Sequence, residues 1–242
     1  MPNRFDPAAA RLGGYLELDG TIEFYGRVAS ILRPEHTVLD IGAGRAAWFH
    51  DDACAYRRSV RDIRSKVSRL IGADIDPAVL SNPATSENVQ IVNGRVPLPD
   101  HCVDVIIADY VLEHIEDPRA FSVEINRLLR PNGYFCARTP HKCCYVSIAA
   151  RLIRNSRHSR VLSAVQPDRK AEDVFPTAYR LNTLRSIGAH FVGFEPFNYL
   201  YSSAPQYFWG KKAVYRAFLI LHRILPTVLT ANIFVFLRKR AQ

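Results

Sequence analysis

No stretch of this sequence is both long and apolar enough to cross a bilayer. The best candidate, residues 213–237, is interrupted by Arg216, His222, Arg223 and Pro226, and charges at that spacing are costly in hydrocarbon. The first ten residues hold one basic side chain, Arg4, and no apolar core, so they do not read as a signal peptide. Cysteine is scarce: Cys54, Cys102, Cys136, Cys143 and Cys144 form an odd set with no C-x-x-C spacing. Adjacent Cys143 and Cys144 do not easily bridge each other, so reduced, small apolar side chains in a cytoplasmic protein are expected. His141 stands near them, but there is no second ligand pair at zinc spacing and no metal is expected. The sequence has no internal repeat and no low-complexity tract, which points to one domain over residues 1–242.

What is present suits a folded enzyme-sized domain. Of 242 residues 48% are hydrophobic and 23% charged, which argues against long disorder. The net charge of +9 is concentrated locally. Residues 57–69 carry Arg57, Arg58, Arg61, Arg64, Lys66 and Arg69 against Asp62; residues 151–170 carry Arg151, Arg154, Arg157, Arg160, Arg169 and Lys170 against Asp168. Such segments suit nucleic acid, an anionic membrane or a phosphorylated substrate, and equally a solvated helix face.

Periodicity supplies the elements. Residues 19–33 place Ile22, Tyr25, Val28, Ile31 and Leu32 on one helical face, with Asp19 as N-cap and Pro34 as stop. Residues 54–65 predict a second helix with Tyr56, Val60 and Ile63 inward and its arginines outward. Apolar runs at 37–41, 69–74, 89–92, 103–108 and 134–138 predict five strands, and Arg130-Pro131-Asn132-Gly133 predicts a turn before the fifth. Helices are expected from Pro77, over 120–129 and after Asn182, which is read as a cap with Leu184 and Ile187 inward and Gly188 as the end. Two further strands are expected at 191–197 and 231–237. Strand–helix alternation implies an α/β fold, a mostly parallel seven-stranded sheet with helices on both faces. Ligands of such sheets bind beyond the carboxyl ends of the strands, so residues just after each strand are the ones to inspect.

After the first strand comes Gly42-Ala43-Gly44, where glycine permits a tight turn and close approach to a ligand. A dinucleotide fingerprint would want an acid about 20 residues past the glycines; Asp74 lies 30 past Gly44, and Ala47 replaces the third glycine. Asp74, at a strand tip, suits a ribose diol, while Asp76 suits the cap of the helix opened by Pro77.

The series VLDIGAG, GADID, LPDHCVDVIIADYVLEHIEDP and LLRPNGYFCARTP, in that order over residues 20–140, resembles the class I S-adenosylmethionine-dependent methyltransferases, closest to the small-molecule group. The resemblance implies a Rossmann-like core at 20–140 with substrate-cap elaborations at 141–181 and 201–230. It implies S-adenosylmethionine as cofactor, with Asp40, Gly42, Ala43 and Gly44 at its methionine end, Asp74 on the ribose and Ile75 on the adenine. Gly94 and Arg95 match the stretch near the adenine; Asp109, Tyr110 and Val111 match the floor after the fourth strand. Two departures stand out. Asp40 and Asp74 are 34 residues apart, an excess placed in an inserted loop around Trp48–Ala55. Arg95 stands where many members have an acid, and it cannot accept the adenine amino hydrogen bond.

Methyl transfer to a hydroxyl needs a base, and His114 is the candidate, with a helix-start hydrogen-bonding role as its alternative; Asp109 is a second candidate. His141, Tyr145, Tyr179 and Arg180 are candidate acceptor contacts. The sequence lacks the Asn/Asp-Pro-Pro-aromatic motif of amino-directed enzymes and the Pro-Cys nucleophile of cytosine-C5 enzymes after the fourth strand. A small-molecule or glycan- or lipid-linked acceptor methylated at oxygen is therefore expected. An RNA-modifying enzyme and an inactive binding module are the alternatives. The C-terminal stripe with Lys211, Lys212, Arg216 and Arg223 either covers the sheet or docks peripherally at the inner face of a membrane.

Overall fold

A computed structural model describes residues 5–152, 175–205 and 208–241. Asp19 opens helix α1 (Gly20–Ile31) by accepting hydrogen bonds from the Thr21 and Ile22 amides at 2.9 and 3.0 Å. Strand β1 (Thr37–Ile41) follows, then β2 (Arg69–Asp74), β3 (Glu87–Gln90), β4 (Val103–Asp109) and β5 (Leu129–Pro140). These five pair in parallel in the order β3-β2-β1-β4-β5. β8 (Asn232–Lys239) then runs antiparallel between β5 and the short strands β6 (Phe194–Pro196) and β7 (Tyr199–Tyr201). The sheet has eight strands where seven were expected; β7, three residues long, is too short for alternation to reveal.

The pleat sorts the side chains to two cores. On one face Ile106, Ala108, Phe135, Ala137, Ile233 and Val235 meet Ile125 and Leu128 of α4 (Pro118–Leu128). On the other, Val105, Ile107, Cys136, Phe234 and Phe236 meet Phe24, Tyr25 and Val28 of α1. The helices therefore lie on both faces. The register sets Asp40 beside Gly72 and Ile107, and Asp109 beside Arg138, so all four tips end along one edge. The strand order reverses between β1 and β4, where the crevice of an open α/β sheet opens.

Several elements depart from their sequence-based expectation. The stretch after β1 forms two short helices, α2 (Trp48–Asp51) and α3 (Ala55–Arg61), then a 3₁₀ turn at Arg64–Lys66, in place of an inserted loop and one helix. Tyr56 is half exposed while Ile63 is buried. β5 runs through the Arg-Pro-Asn-Gly turn, whose extra residues are absorbed by a register shift between the Val103–Leu129 and Val105–Tyr134 pairs. Gly133 is required there, since a Cβ would lie 2.7 Å from the Asp104 carbonyl. Asn182 is fully buried and does not cap the next helix; Thr183 caps α6 (Leu184–His190) in a box with Ser186. Leu184 is exposed, and α6 continues past Gly188. Cys144 is buried as expected, but Cys143 is exposed.

Candidate functional site

The chain leaves β1 through Gly42, whose φ of +76° most side chains avoid and whose amide donates to the Ala73 carbonyl at 2.8 Å. A Cβ at Gly42 would come within 2.4 Å of Val111 Cγ2, so the glycine lets the turn lie against the segment after β4. Gly44, at φ +50°, donates its amide to Asp74 Oδ2 at 2.9 Å. The other Asp74 oxygen accepts the Asp76 amide, also at 2.9 Å. Asp74 is 8% exposed and thus buttresses the glycine turn from the tip of β2. Asn82 completes the support, its side-chain nitrogen donating to the Ala43 and Gly44 carbonyls at 3.1 and 2.9 Å. Nothing in sequence spacing singles out Asn82. Asp76 caps the 3₁₀ turn at Pro77–Ser81 as expected, and Ile75 stands 61% exposed beside it, an apolar surface at the mouth of the crevice.

Gly94 and Arg95 sit farther out. Asn93 and Gly94, both with positive φ, form the tip of a tight hairpin closed by reciprocal Val92–Arg95 backbone bonds. Its stem begins where the Ile91 amide donates to the Asp74 carbonyl at 2.7 Å.

At the tips of β4 and β5 lies a buried charged cluster. Arg138 on β5 grips Asp109 with Nε at 2.5 Å and Nη2 at 2.9 Å, and both side chains are at most 5% exposed. Tyr25 donates to Asp109 Oδ2 at 3.4 Å, and Arg61 Nη2 approaches that oxygen at 3.6 Å. Burial alone would lift Asp109, but the charge and hydrogen bonds of Arg138, with Arg61, hold it below the ordinary carboxylate range. A carboxylate so engaged is a poor proton acceptor, which moves it from candidate base to scaffold. Asp40 behaves oppositely: desolvation, reinforced by Asp109 and Asp74 and opposed by Arg61, raises it to about 7.

Arg61 overturns the expectation that the arginines of residues 57–69 all face outward. Its guanidinium lies 4.6 Å from the Trp48 ring centre and 5.4 Å from that of Tyr25, and its buried Nε has no hydrogen-bond partner. Arg57 bonds Asp52 and Asp19, Arg58 reaches the Asp52 carbonyl, and Arg64 holds Asp62 and the Pro83 carbonyl. The inserted stretch is thus an internally paired wall of the crevice.

After β4, Tyr110 takes φ +57°, its amide donates to the Arg138 carbonyl, and its hydroxyl accepts from Asn232 at 3.3 Å. His114 Nδ1 lies 2.7 Å from the Pro176 carbonyl. A carbonyl only accepts, so Nδ1 carries the hydrogen and the neutral ring is basic at Nε2. Its neighbour Glu113, unnoticed in the sequence, is buried; its Oε2 accepts from Thr139 at 2.8 Å and its carbonyl accepts the Ala178 and Tyr179 amides. Glu113 and His114 together latch residues 176–179 over the strand tips.

The four candidate acceptor contacts do not converge. Tyr179 is buried against this latch, with φ +52°, while Arg180 turns away to the Glu116 carbonyl. Tyr145 begins α5 (Tyr145–Leu152) and bonds His222 at 3.2 Å. His141 accepts the Cys143 amide, and burial lowers its pKa. Residues 153–174, which include most of the second basic segment, lie outside the described residues. Among the described residues no helix is long and apolar enough to cross a membrane.

A family described as a methyltransferase domain matches residues 39–137. A probable S-adenosylmethionine-dependent methyltransferase of Mycolicibacterium smegmatis is 36% identical over 102 residues, covering 40% of this chain and 39% of that protein. The chain spans less than half the length of the curated relatives it matches. Among solved structures, the YcgJ protein of Bacillus subtilis aligns with 91% of this chain and 99% of its own, at 15% identity and a TM-score of 0.54. Geranyl diphosphate C-methyltransferase of Streptomyces coelicolor, solved with Mg2+, geranyl-S-thiolodiphosphate and S-adenosyl-L-homocysteine, aligns over 90% of this chain and 74% of its own, at 14% identity and 0.53. At such identities these likenesses show the fold alone.

Proposed function

We propose that this chain, whose residues 39–137 match a methyltransferase domain and resemble a probable S-adenosylmethionine-dependent methyltransferase, is a class I S-adenosylmethionine-dependent methyltransferase that methylates an oxygen of a small-molecule or glycan- or lipid-linked acceptor. The observation that carries this reading is the crevice at the tips of β1, β2 and β4, where the Gly42 turn lies against Val111 more closely than any side chain would allow and Arg61 presents a buried Nε without a hydrogen-bond partner. A zwitterionic methionine end suits that setting: Arg61 for its carboxylate, Asp40 for its ammonium, and Gly42, Ala43 and Gly44 for close backbone approach. In this reading Asp74 takes the ribose and Ile75 the adenine face. Gly94 and Arg95 are left at the rim.

Bound there, S-adenosylmethionine supplies an activated methyl carbon, so the protein's tasks are alignment and exclusion of water. The Asp109–Arg138 pair fixes the floor, and Tyr110 and Val111 form its surface. His114 Nε2 takes the proton of an acceptor hydroxyl, with Pro176 orienting the ring. Residues 176–179, latched by Glu113, border the acceptor space. A lipid-linked acceptor places the chain peripherally at the inner face of a membrane. The RNA-modifying alternative loses one of its two supports, because Arg57, Arg58, Arg61 and Arg64 are engaged internally.

Titration calorimetry with S-adenosylhomocysteine tests the cofactor assignment. Asp74→Ala is expected to weaken binding roughly 100-fold, since it removes hydrogen-bonding capacity to a diol and releases the glycine turn, each worth about 1–2 kcal/mol. Undiminished affinity would refute the ribose role, and no binding by the unaltered chain would sink the whole reading. For the base, transfer of a labelled methyl group into envelope glycolipid extract is the assay. His114→Gln should lower kcat by about 10²–10⁴ with homocysteine-analogue affinity preserved; equal turnover would remove His114 from the mechanism.

A further inference from the structure

Residues 196–242 contain seven basic side chains, Lys211, Lys212, Arg216, Arg223, Arg238, Lys239 and Arg240, and no Asp or Glu. Four of these lie on or immediately before α7 (Lys212–Ile224) and are exposed. The helix has a clear inner side. Tyr215 packs on Phe5 and Phe208, and Phe218 and His222 pack on Tyr145. Its outer side is also apolar. Ala213, Ala217, Ile220 and Ile224 recur at spacings of four, three and four, which line them along one stripe. All four are exposed, Ile220 at 60% and Ile224 at 72%. Trp209 before the helix and Val228 after it are exposed as well. Lys212, Arg216 and Arg223 run along one flank of the stripe, and Glu17, whose charge reaches Tyr215, is itself paired with Arg11.

We propose that this outer face of α7, with Trp209 at its head, docks the protein on the surface of an anionic lipid bilayer. An apolar stripe bordered by lysine and arginine, with an aromatic residue at one end, matches the acyl boundary and the headgroup layer at once. The exposed charge of residues 209–228 is all basic and complementary to anionic lipid, whereas Lys239 is buried and Arg238 and Arg240 lie at the far end of β8. A second copy of the chain would bring the same basic flank against itself. The position is informative too. α7 leads through a 3₁₀ turn at Thr227–Leu229 to Asn232, which pairs with Pro140 at the end of β5 and bonds Tyr110. The docking face therefore lies at the strand-tip edge that carries the crevice. The docking rests on α7 alone; its use in delivering a lipid-linked acceptor rests on the methyl-transfer reading above.

Vesicle flotation of the full chain tests it, using phosphatidylcholine alone and phosphatidylcholine with phosphatidylglycerol. Each Lys or Arg near an anionic surface contributes about fivefold to partitioning, so the chain should float with the anionic vesicles at low salt, at least ~10-fold less with neutral ones, and less as salt rises. Ile220→Asp/Ile224→Asp should cut the bound fraction by ~30-fold or more, and Lys212→Gln/Arg216→Gln by ~25-fold. All these side chains are exposed, and S-adenosylhomocysteine affinity serves as the folding control. Failure of the unaltered chain to float with anionic vesicles at low salt overturns the proposal. So does undiminished flotation of the double aspartate variant, or a dimer that this variant dissociates while vesicles stay unbound. Flotation without homocysteine-analogue binding would support the docking and defeat the methyl-transfer reading; the converse would do the reverse.

Discussion

Arg138→Met is expected to lower the free energy of unfolding by about 3–5 kcal/mol, which in a domain of this size lowers Tm by roughly 6–20 °C. The reason is what the substitution leaves behind. Asp109 sits 5% exposed at the end of a central strand, and Arg138 is its principal counter-charge. Tyr25 at 3.4 Å and Arg61 at 3.6 Å are too distant to replace a bidentate grip at 2.5 and 2.9 Å. A desolvated carboxylate then stays buried without compensation, which costs more than the pair itself contributes. Replacing both partners, as in Asp109→Leu/Arg138→Met, should recover most of the loss. Urea and thermal unfolding distinguish the outcomes. A loss below ~1 kcal/mol for the single change would match a solvent-exposed pair and contradict the buried geometry.

Gly42→Ala is expected to weaken S-adenosylhomocysteine binding by ~30-fold or more. A left-handed φ of +76° costs an alanine about 1–2 kcal/mol, and the new methyl would lie 2.4 Å from Val111 Cγ2. Val111 is β-branched and stiff about χ1, so relief requires movement of the segment after β4. The pair Gly42→Ala/Val111→Ala should recover the steric part and keep the conformational part, a residual weakening of ~5–30-fold. Gly44→Ala should be gentler, because its Cβ would meet Asp74 only at 3.8 Å. Wild-type affinity in Gly42→Ala would show that the turn does not approach the cofactor.

The parts of this architecture that could be read from the sequence are those encoded within a few residues. Asp19 and Asp76, both read as caps, bond amides two or three positions on, and the β4 and β5 residues alternate between the two cores. The glycines after β1 and the acid at the tip of β2 were equally visible. What escaped notice depends on partners distant in the chain. Arg57 reads as a solvated charge until Asp19, 38 residues earlier, is folded against it. Arg61 reads likewise until Trp48 and Tyr25 enclose it. Asp109 reads as an available base until Arg138, on the next strand, is folded against it. Asn182 resembled a cap by residue type, but tertiary bonds to Thr139 and the Pro140 carbonyl claim its side chain. Asn82 and Glu113 brace the site from positions that no local pattern marks.

The antiparallel return of β8 has one further consequence. It starts at the edge where β1, β2 and β4 end, so the helix before it and the crevice share a side of the molecule. If α7 rests in a lipid surface, rotation about the two in-plane axes is suppressed while spin about the normal remains. The search for an acceptor then becomes a two-dimensional one, in which the crevice meets its partner at the same height on every encounter.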